Sequence, residues 1–468
     1  MVSRPAAIGV TASRAGAAIA PVAGAISAFG APFLYLFLFF AYSRLSELAA
    51  PRLHLPMVTA VLAALFGIAN GGVTRVLRSP AGLLLLAFTG WLVISTPLSF
   101  WKGGSTQLLV FVWGKSLMLF LTIVALIDTV KQCRFAMHII AFSVLIVAMI
   151  CLAVGISVEG RLALPRGFLE NPNDLAQLLL LGLPFWLLVS MGKSTVPFRR
   201  IVAGVWIVPI LFVIVQTGSR SAVVALAVLG IVVFRNFSFA NKIKLALIGL
   251  LAVTLGLVFL SDELRNRYVI FIGGPDSEAE AGDAFAGSTL QAVASSEQRL
   301  ALLIDSLKLT VRHPVFGVGP GQFQSYSAGQ VDDEQKKAMW KETHCSYTQV
   351  SSEAGLPAFF FYVGALVYCI KRTSAIYRST RGDPQQSEIS ATAFALLLSL
   401  VSYAATAMFS SVAYGIFFPT IAGLCVAFFS AVAAERKATQ SVPTTPGNPA
   451  LDPAPYSRAS GLRTSVRA

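Results

Sequence analysis

The sequence is short of charge. Asp, Glu, Lys and Arg make up 12% of its 468 residues, against roughly 25% in soluble globular chains. Hydrophobic residues reach 56% and the mean hydropathy is +0.72, which excludes an ordinary soluble domain. Cysteine is scarce as well, at five. Cys151, Cys369 and Cys425 lie in or at the ends of hydrophobic runs, Cys133 lies in a short basic loop, and only Cys345 reads as external. No disulfide framework follows. The four histidines stand apart from one another, and no Cys/His spacing suits zinc or haem, so neither a metal nor a cofactor is expected. Acidic residues are outnumbered 22 to 36, for a net charge of +14. In a soluble protein that balance would suggest nucleic acid. In a chain this apolar, basic residues gather on cytoplasmic loops instead, and no nucleic-acid partner is expected.

What the sequence does have is long apolar runs. They fall near 27–44, 55–73, 80–99, 107–127, 136–156, 174–191, 201–216, 221–234, 243–260, 347–370, 389–409 and 412–433. Most approach the roughly 20 residues that span a hydrocarbon core as a helix, and the eighth is short. The runs do not alternate as barrel strands do, and helices satisfy their backbone internally. The expectation is an all-α polytopic membrane protein of about twelve helices. Its segments are a cytoplasmic start (1–26), nine spans (27–260), one large loop (261–346), three spans (347–434) and a cytoplasmic tail (435–468). Every even connection is basic, with Arg75 and Arg78, Lys131 and Arg134, Lys193, Arg199 and Arg200, then Arg235, Lys242 and Lys244, then Lys371, Arg372, Arg378 and Arg381. With both termini cytoplasmic, this agrees with the positive-inside rule and places the long loop in the periplasm of an inner-membrane protein. The tail from Val442, rich in Pro, Ser, Thr and Ala, reads as a disordered linker.

The 261–344 stretch carries more than half of the acidic residues. Residues 273–295 are acidic and small. Ser295-Ser296-Glu297-Gln298 fits a capping box, and Leu300, Leu303, Ile304, Leu307 and Val311 form one stripe at helical spacing. That stripe is expected to pack onto the membrane domain and leave Arg299 facing a pocket. The helix should stop near His313-Pro314. Gly317-Val318-Gly319-Pro320-Gly321 follows a helix rather than a strand, so it reads as a tight turn and not a nucleotide loop. Residues 331–342 read as a solvated helix. His344 then falls at the membrane surface.

Other external connections are short and oddly basic. Arg161 and Arg166 precede Asn171-Pro172-Asn173-Asp174, a helix start. Thr217-Gly218-Ser219-Arg220-Ser221 places an arginine in a tight hairpin, where it needs a carboxylate or an anionic ligand. Lys115 and Glu353 lie inside spans and are functional candidates for that reason, although Glu353 could equally pair with an arginine.

Arginine forks bind phosphate and stay charged, and a histidine accepts a proton near neutral pH. Together they suit a lipid-linked pyrophosphate whose linkage already stores the energy for transfer. The order Arg166-Gly167-Phe168, Asn171-Pro172-Asn173, Thr217-Gly218-Ser219-Arg220-Ser221, Arg299, His313-Pro314-Val315-Phe316-Gly317-Val318-Gly319, His344 and Glu353-Ala354-Gly355 resembles the O-antigen ligase/polymerase family. The resemblance covers roughly residues 160–370.

The resemblance implies a metal-independent glycosyltransferase that uses an undecaprenyl-pyrophosphate-linked glycan. Arg220 and Arg299 then resemble the family's phosphate-contacting arginines, with Arg161 and Arg166 as further pyrophosphate ligands. His344 resembles its loop histidine, the general base or acceptor-orienting group. The family usually has Asn after that histidine, where this chain has Cys345. The acceptor is a lipid A core for a ligase, a second carrier-linked repeat for a polymerase, or a protein hydroxyl. In each case the acceptor hydroxyl attacks the anomeric carbon with inversion and the lipid pyrophosphate leaves. A polysaccharide transporter or flippase is the reading from another class; the long loop with its Arg/His set and the lack of an inverted repeat argue against it.

Overall fold

The computed structural model describes residues 12–49, 51–158, 160–191, 197–237, 239–261, 264–265, 268, 286–329 and 341–441. Apolar runs that cannot leave backbone groups unpaired in lipid become helices. In chain order these are α1 (Ala12–Ser43), α2 (Leu55–Ala69), α3 (Pro80–Ser95), α4 (Gly114–Leu126), α5 (Val130–Val154), α6 (Pro172–Met191), α7 (Pro197–Gln216), α8 (Arg220–Asn236), α9 (Phe239–Val258), α10 (Ala286–Arg312), α11 (Phe323–Gly329), α12 (Ser346–Thr380), α13 (Ser387–Thr406) and α14 (Phe417–Ser441). A two-stranded antiparallel hairpin, β1 (Ile156–Val158) and β2 (Arg161–Ala163), joins α5 to α6.

Each expected run coincides with a helix. Among the described residues, seven helices are long and apolar enough to cross a membrane. Ser27–Ser43, Leu55–Ala69 and Ile201–Gln216 are shorter apolar helices. The protein is therefore an all-α polytopic membrane protein, and seven of its described helices meet the full length and hydropathy requirement for a span. Within the bundle, α12 packs on α3, α13 and α10, while α13 also packs on α6 and α8.

Connections that should share a side do meet. Arg75 pairs with Asp128, and Arg134 pairs with Glu388 at 2.7 Å. On the other face, the Phe100 N–H donates to the Val318 carbonyl at 2.8 Å and the His344 N–H donates to Ser411 Oγ at 2.9 Å. There too, a Cβ on Gly167 would approach Glu47 Oε2 to 2.9 Å.

Helix α12 is broken at Gly355, whose φ of 83° lies in the left-handed region. The segment from Pro314 to Phe323 threads this break. Leu356 N–H donates to Pro314 O at 2.7 Å, Val318 N–H to Ser352 O at 2.9 Å, and Gly319 N–H to Glu353 O at 2.8 Å. The Glu353 carboxylate accepts from Gly321 N–H at 2.9 Å and Phe323 N–H at 3.3 Å, and the Tyr414 hydroxyl faces it. A Cβ on Gly355 would sit 2.0 Å from Val315 O, and one on Gly317 would sit 2.2 Å from the Glu353 carbonyl carbon. Only glycine allows this approach.

Several expectations are corrected. Ser295 is not a helix cap, because α10 already starts at Ala286. The Leu300, Ile304, Leu307 and Val311 stripe faces outward, and α10 packs through Leu302, Ser306, Leu309 and Thr310 instead. Among the described residues, Glu353 is paired with the backbone N–H groups of Gly321 and Phe323 rather than with an arginine. Cys133 lies inside α5 and is buried, because that helix starts six residues early on a capping box that joins Thr129 and Gln132. The twelfth run starts at Phe417, and residues 411–416 are irregular. The expected end of α10 before His313 is observed. The readings for residues 1–11, 273–285, 331–340 and 442–468 lie outside the described residues.

Candidate active site

His344 sits between the loop and the first turn of α12, whose N-cap is Cys345. Its φ of 52° is uncommon for a residue other than glycine, and such conformations concentrate at functional sites. Ser411 holds it there: Ser411 Oγ accepts from the His344 N–H and lies 3.0 Å from Thr343 Oγ1. Ser346 locks the same junction, donating to Ser410 O at 2.6 Å and accepting from Val412 N–H at 3.0 Å. The loop between α13 and α14 is thus the cradle of the histidine.

The imidazole is half-buried, and burial pulls its pKa down to about 4, helped by the positive charges of Arg299 and then Lys341. It is neutral at pH 7. Arg299 comes from α10 and is half-buried. Lys341 donates to Gln298 Oε1, which ties the end of the loop to the same turn of α10. The structure therefore brings His344 and Arg299 together, with Lys341 beside them.

A second group gathers around Arg161. This residue is buried on β2, and its Nε donates to Thr217 O at 2.7 Å while Nη2 donates to Asn173 Oδ1 at 2.7 Å. Asn171 Oδ1 accepts from Asn173 N–H at 2.9 Å, a turn that sets up α6. Arg161 thus holds three connecting segments in register: the hairpin, the start of α6 and the Thr217 turn. Gly218, with φ 59°, makes that turn against Arg161 and Leu264. Ser219 Oγ lies 2.9 Å from Ser221 Oγ, and Arg220 opens α8, half-buried. Asp174 lies within electrostatic reach of Glu342, and Glu342 contacts Ser411. This chain of polar groups links the Arg161 group to His344.

Arg166 goes elsewhere. It is exposed and lines a cavity of about 610 Å³ with Arg44, Glu47, His54 and Lys115, whose remaining wall is largely apolar, including Phe37, Met57, Met118 and Ile416. Lys115, singled out in the sequence as an intramembrane charge, faces the same cavity. Among the described residues, no group of three His, Cys, Asp or Glu side chains is placed to hold a metal.

Sequence reasoning missed Ser411, Lys341 and Glu342. Ser410-Ser411 was hidden between two hydrophobic runs read as nearly continuous. The signal was present in Ser410-Ser411 and Tyr414-Gly415, a cluster that favours a turn.

Residues 203–363, from within α7 to the middle of α12, match the family model described as O-Antigen ligase. The match contains Arg220, Arg299, His344 and Glu353, while Arg161, Arg166 and Lys115 precede it. No curated protein matches the chain.

Proposed function

We propose, from the match of residues 203–363 to the O-antigen ligase family model, that the protein transfers glycan from an undecaprenyl-pyrophosphate carrier to an acceptor hydroxyl. The reaction takes place on the periplasmic face of the inner membrane, with both termini in the cytoplasm. The acceptor we favour is a lipid A core. A second carrier-linked repeat would use the same chemistry and would make the protein a polymerase. The grouping of the odd connections around His344, away from the Arg75–Asp128 and Arg134–Glu388 pairs, supports this topology.

One observation carries the reading. A neutral histidine is held in a strained conformation beside Arg299 and Lys341, at the mouth of a membrane bundle. The acceptor oxygen attacks the anomeric carbon as the bond from that carbon to the pyrophosphate oxygen breaks. The bonding pair leaves with the pyrophosphate, and Arg299 and Arg220 hold the charge that develops. The hydroxyl proton passes to His344. A bound pyrophosphate offsets the positive charge near the imidazole, so its pKa rises towards the working pH as the donor arrives. The base is weak in the empty site and stronger in the loaded one. Arg166, in the separate cavity that it shares with Arg44, His54 and Lys115, and Arg161, which sets the register of the external segments, are the further donor-side candidates.

The test is transfer by purified protein in nanodiscs, with intact donor and no nucleotide. Lipid A core and a second carrier-linked repeat are offered in parallel, beside His344→Ala and Arg220→Ala. Product on the core, lost in both variants, is expected. A ladder on the carrier would instead assign a polymerase. Equal product from the wild type and His344→Ala would overturn the mechanism.

A further inference from the structure

Helix α10 has three faces. Leu302, Ser306, Leu309 and Thr310 are buried, and Thr310 Oγ1 meets Ser351 Oγ of α12 at 2.8 Å. A polar face carries Glu297, Asp305, Lys308 and Arg312, with Lys308 and Asp305 paired at 3.1 Å. Between them runs the apolar stripe, and it is open: Leu300 is 58% exposed, Ile304 43%, Leu307 48% and Val311 80%. An apolar packed face (Leu302 and Leu309, with the small hydroxyl side chains of Ser306 and Thr310) beside a second apolar face turned outward is the pattern of a helix that meets protein on one side and lipid on the other. In a helix surrounded by water the apolar stripe would be the packed face.

The loop beyond α10 gives the depth. Phe316 stacks on Trp91 with ring centroids 5.4 Å apart and planes 9° from parallel, a contact that fixes its level. Trp91 Nε1–H also donates to Ala354 O at 2.9 Å. The span that contains Trp91 ends at Leu98, seven residues on, and at 1.5 Å per residue Phe316 lies about 10 Å inside that end. The chain then returns, because Val318 pairs with Phe100, beyond the end of the same span. Irregular backbone at such depth survives only where protein pairs its polar groups. Ser352, Glu353 and Leu356 do so here, and this gives the buried Glu353 carboxylate a purpose. The stripe is followed by further exposed apolar side chains, Val315 and then Leu356 and Phe360 of the spanning helix α12.

We infer that α10, the Pro314–Gly321 turn and α11 form a re-entrant hairpin that dips into the leaflet on the side of His344, with Leu300, Ile304, Leu307 and Val311 against lipid acyl chains. The loop is then not a lid above the membrane but one wall of a site entered from within the bilayer. Arg299, one position from the stripe, is held at the headgroup level where a lipid phosphate lies.

The test uses the full chain in nanodiscs, with a genetically encoded fluorescent residue at Ile304, Leu307 or Val311, at Lys308 on the polar face, and at Phe360 as the lipid-facing reference. Quenching by spin-labelled phospholipid is compared with quenching by aqueous iodide. At Leu307 and Val311 the lipid quencher is expected to act as at Phe360 and several-fold more strongly than at Lys308, with iodide showing the reverse order. Iodide quenching at Leu307 and Val311 equal to that at Lys308 would overturn the proposal. So would protection from both quenchers, which would mean that protein covers the stripe. Neither result depends on glycan transfer, so this test and the transferase assay fail separately.

Discussion

His344 and its neighbours were unequally legible. The histidine was found from its place before a hydrophobic run, and Arg299 from its place beside a stripe. Their partners Lys341 and Ser411 were not, because each acts through a contact formed only in the folded chain. Replacing His344 with Ala should lower the transfer rate by roughly 10²–10⁴-fold, the range for a lost general base. Lys341→Met makes a sharper prediction. Removing a positive neighbour eases protonation of the imidazole, so its pKa moves up from about 4 towards 6.5. Because the neutral form is the active one, the acid limb of the kcat/KM profile should shift to higher pH. An unmoved acid limb would show that Lys341 does not act on His344. Arg161 was named as a phosphate ligand, yet its guanidinium is engaged by Thr217 and Asn173. Arg161→Lys, which cannot make both bonds with one fork, should lower thermal stability as well as activity.

At the scale of the element, hydrophobic runs located every spanning helix but misread how two regions use them. The stripe on α10 was read correctly as a stripe and assigned to the wrong surroundings. Helical periodicity reports that one face is apolar and says nothing about whether protein or lipid covers it. The capping rule failed at Ser295 and went unused at Thr129, where the Gln132 amide closes a true capping box. The Glu353-Ala354-Gly355 kink has the clearest consequence. Gly355→Ala would place a Cβ against Val315 O at a φ that disfavours any side chain, and should cost about 1–3 kcal/mol. Glu353→Gln turns an amide N–H₂ towards a backbone N–H and should cost about the same. Thermal unfolding in detergent measures both. A melting temperature unchanged in Gly355→Ala would contradict the packing described for the kink.

For the whole molecule, composition alone gave a polytopic helical protein, and charge counting gave a two-sided topology. The side-to-side grouping of connections is consistent with that topology, although the sequence did not reveal which of them meet. Long-range pairs such as Ser346 with Ser410, or Trp91 with Ala354, leave no local signature in an apolar chain. The central claim is that this assembly breaks a sugar–pyrophosphate bond rather than moving an intact lipid-linked glycan. The direct measurement is release of the lipid pyrophosphate, followed with a phosphate-labelled donor and purified protein in nanodiscs, with and without acceptor. The account predicts one lipid pyrophosphate released for each glycosidic bond formed, dependent on acceptor and abolished in His344→Ala. Donor that crosses the bilayer intact, with no pyrophosphate released in the presence of either acceptor, would contradict it.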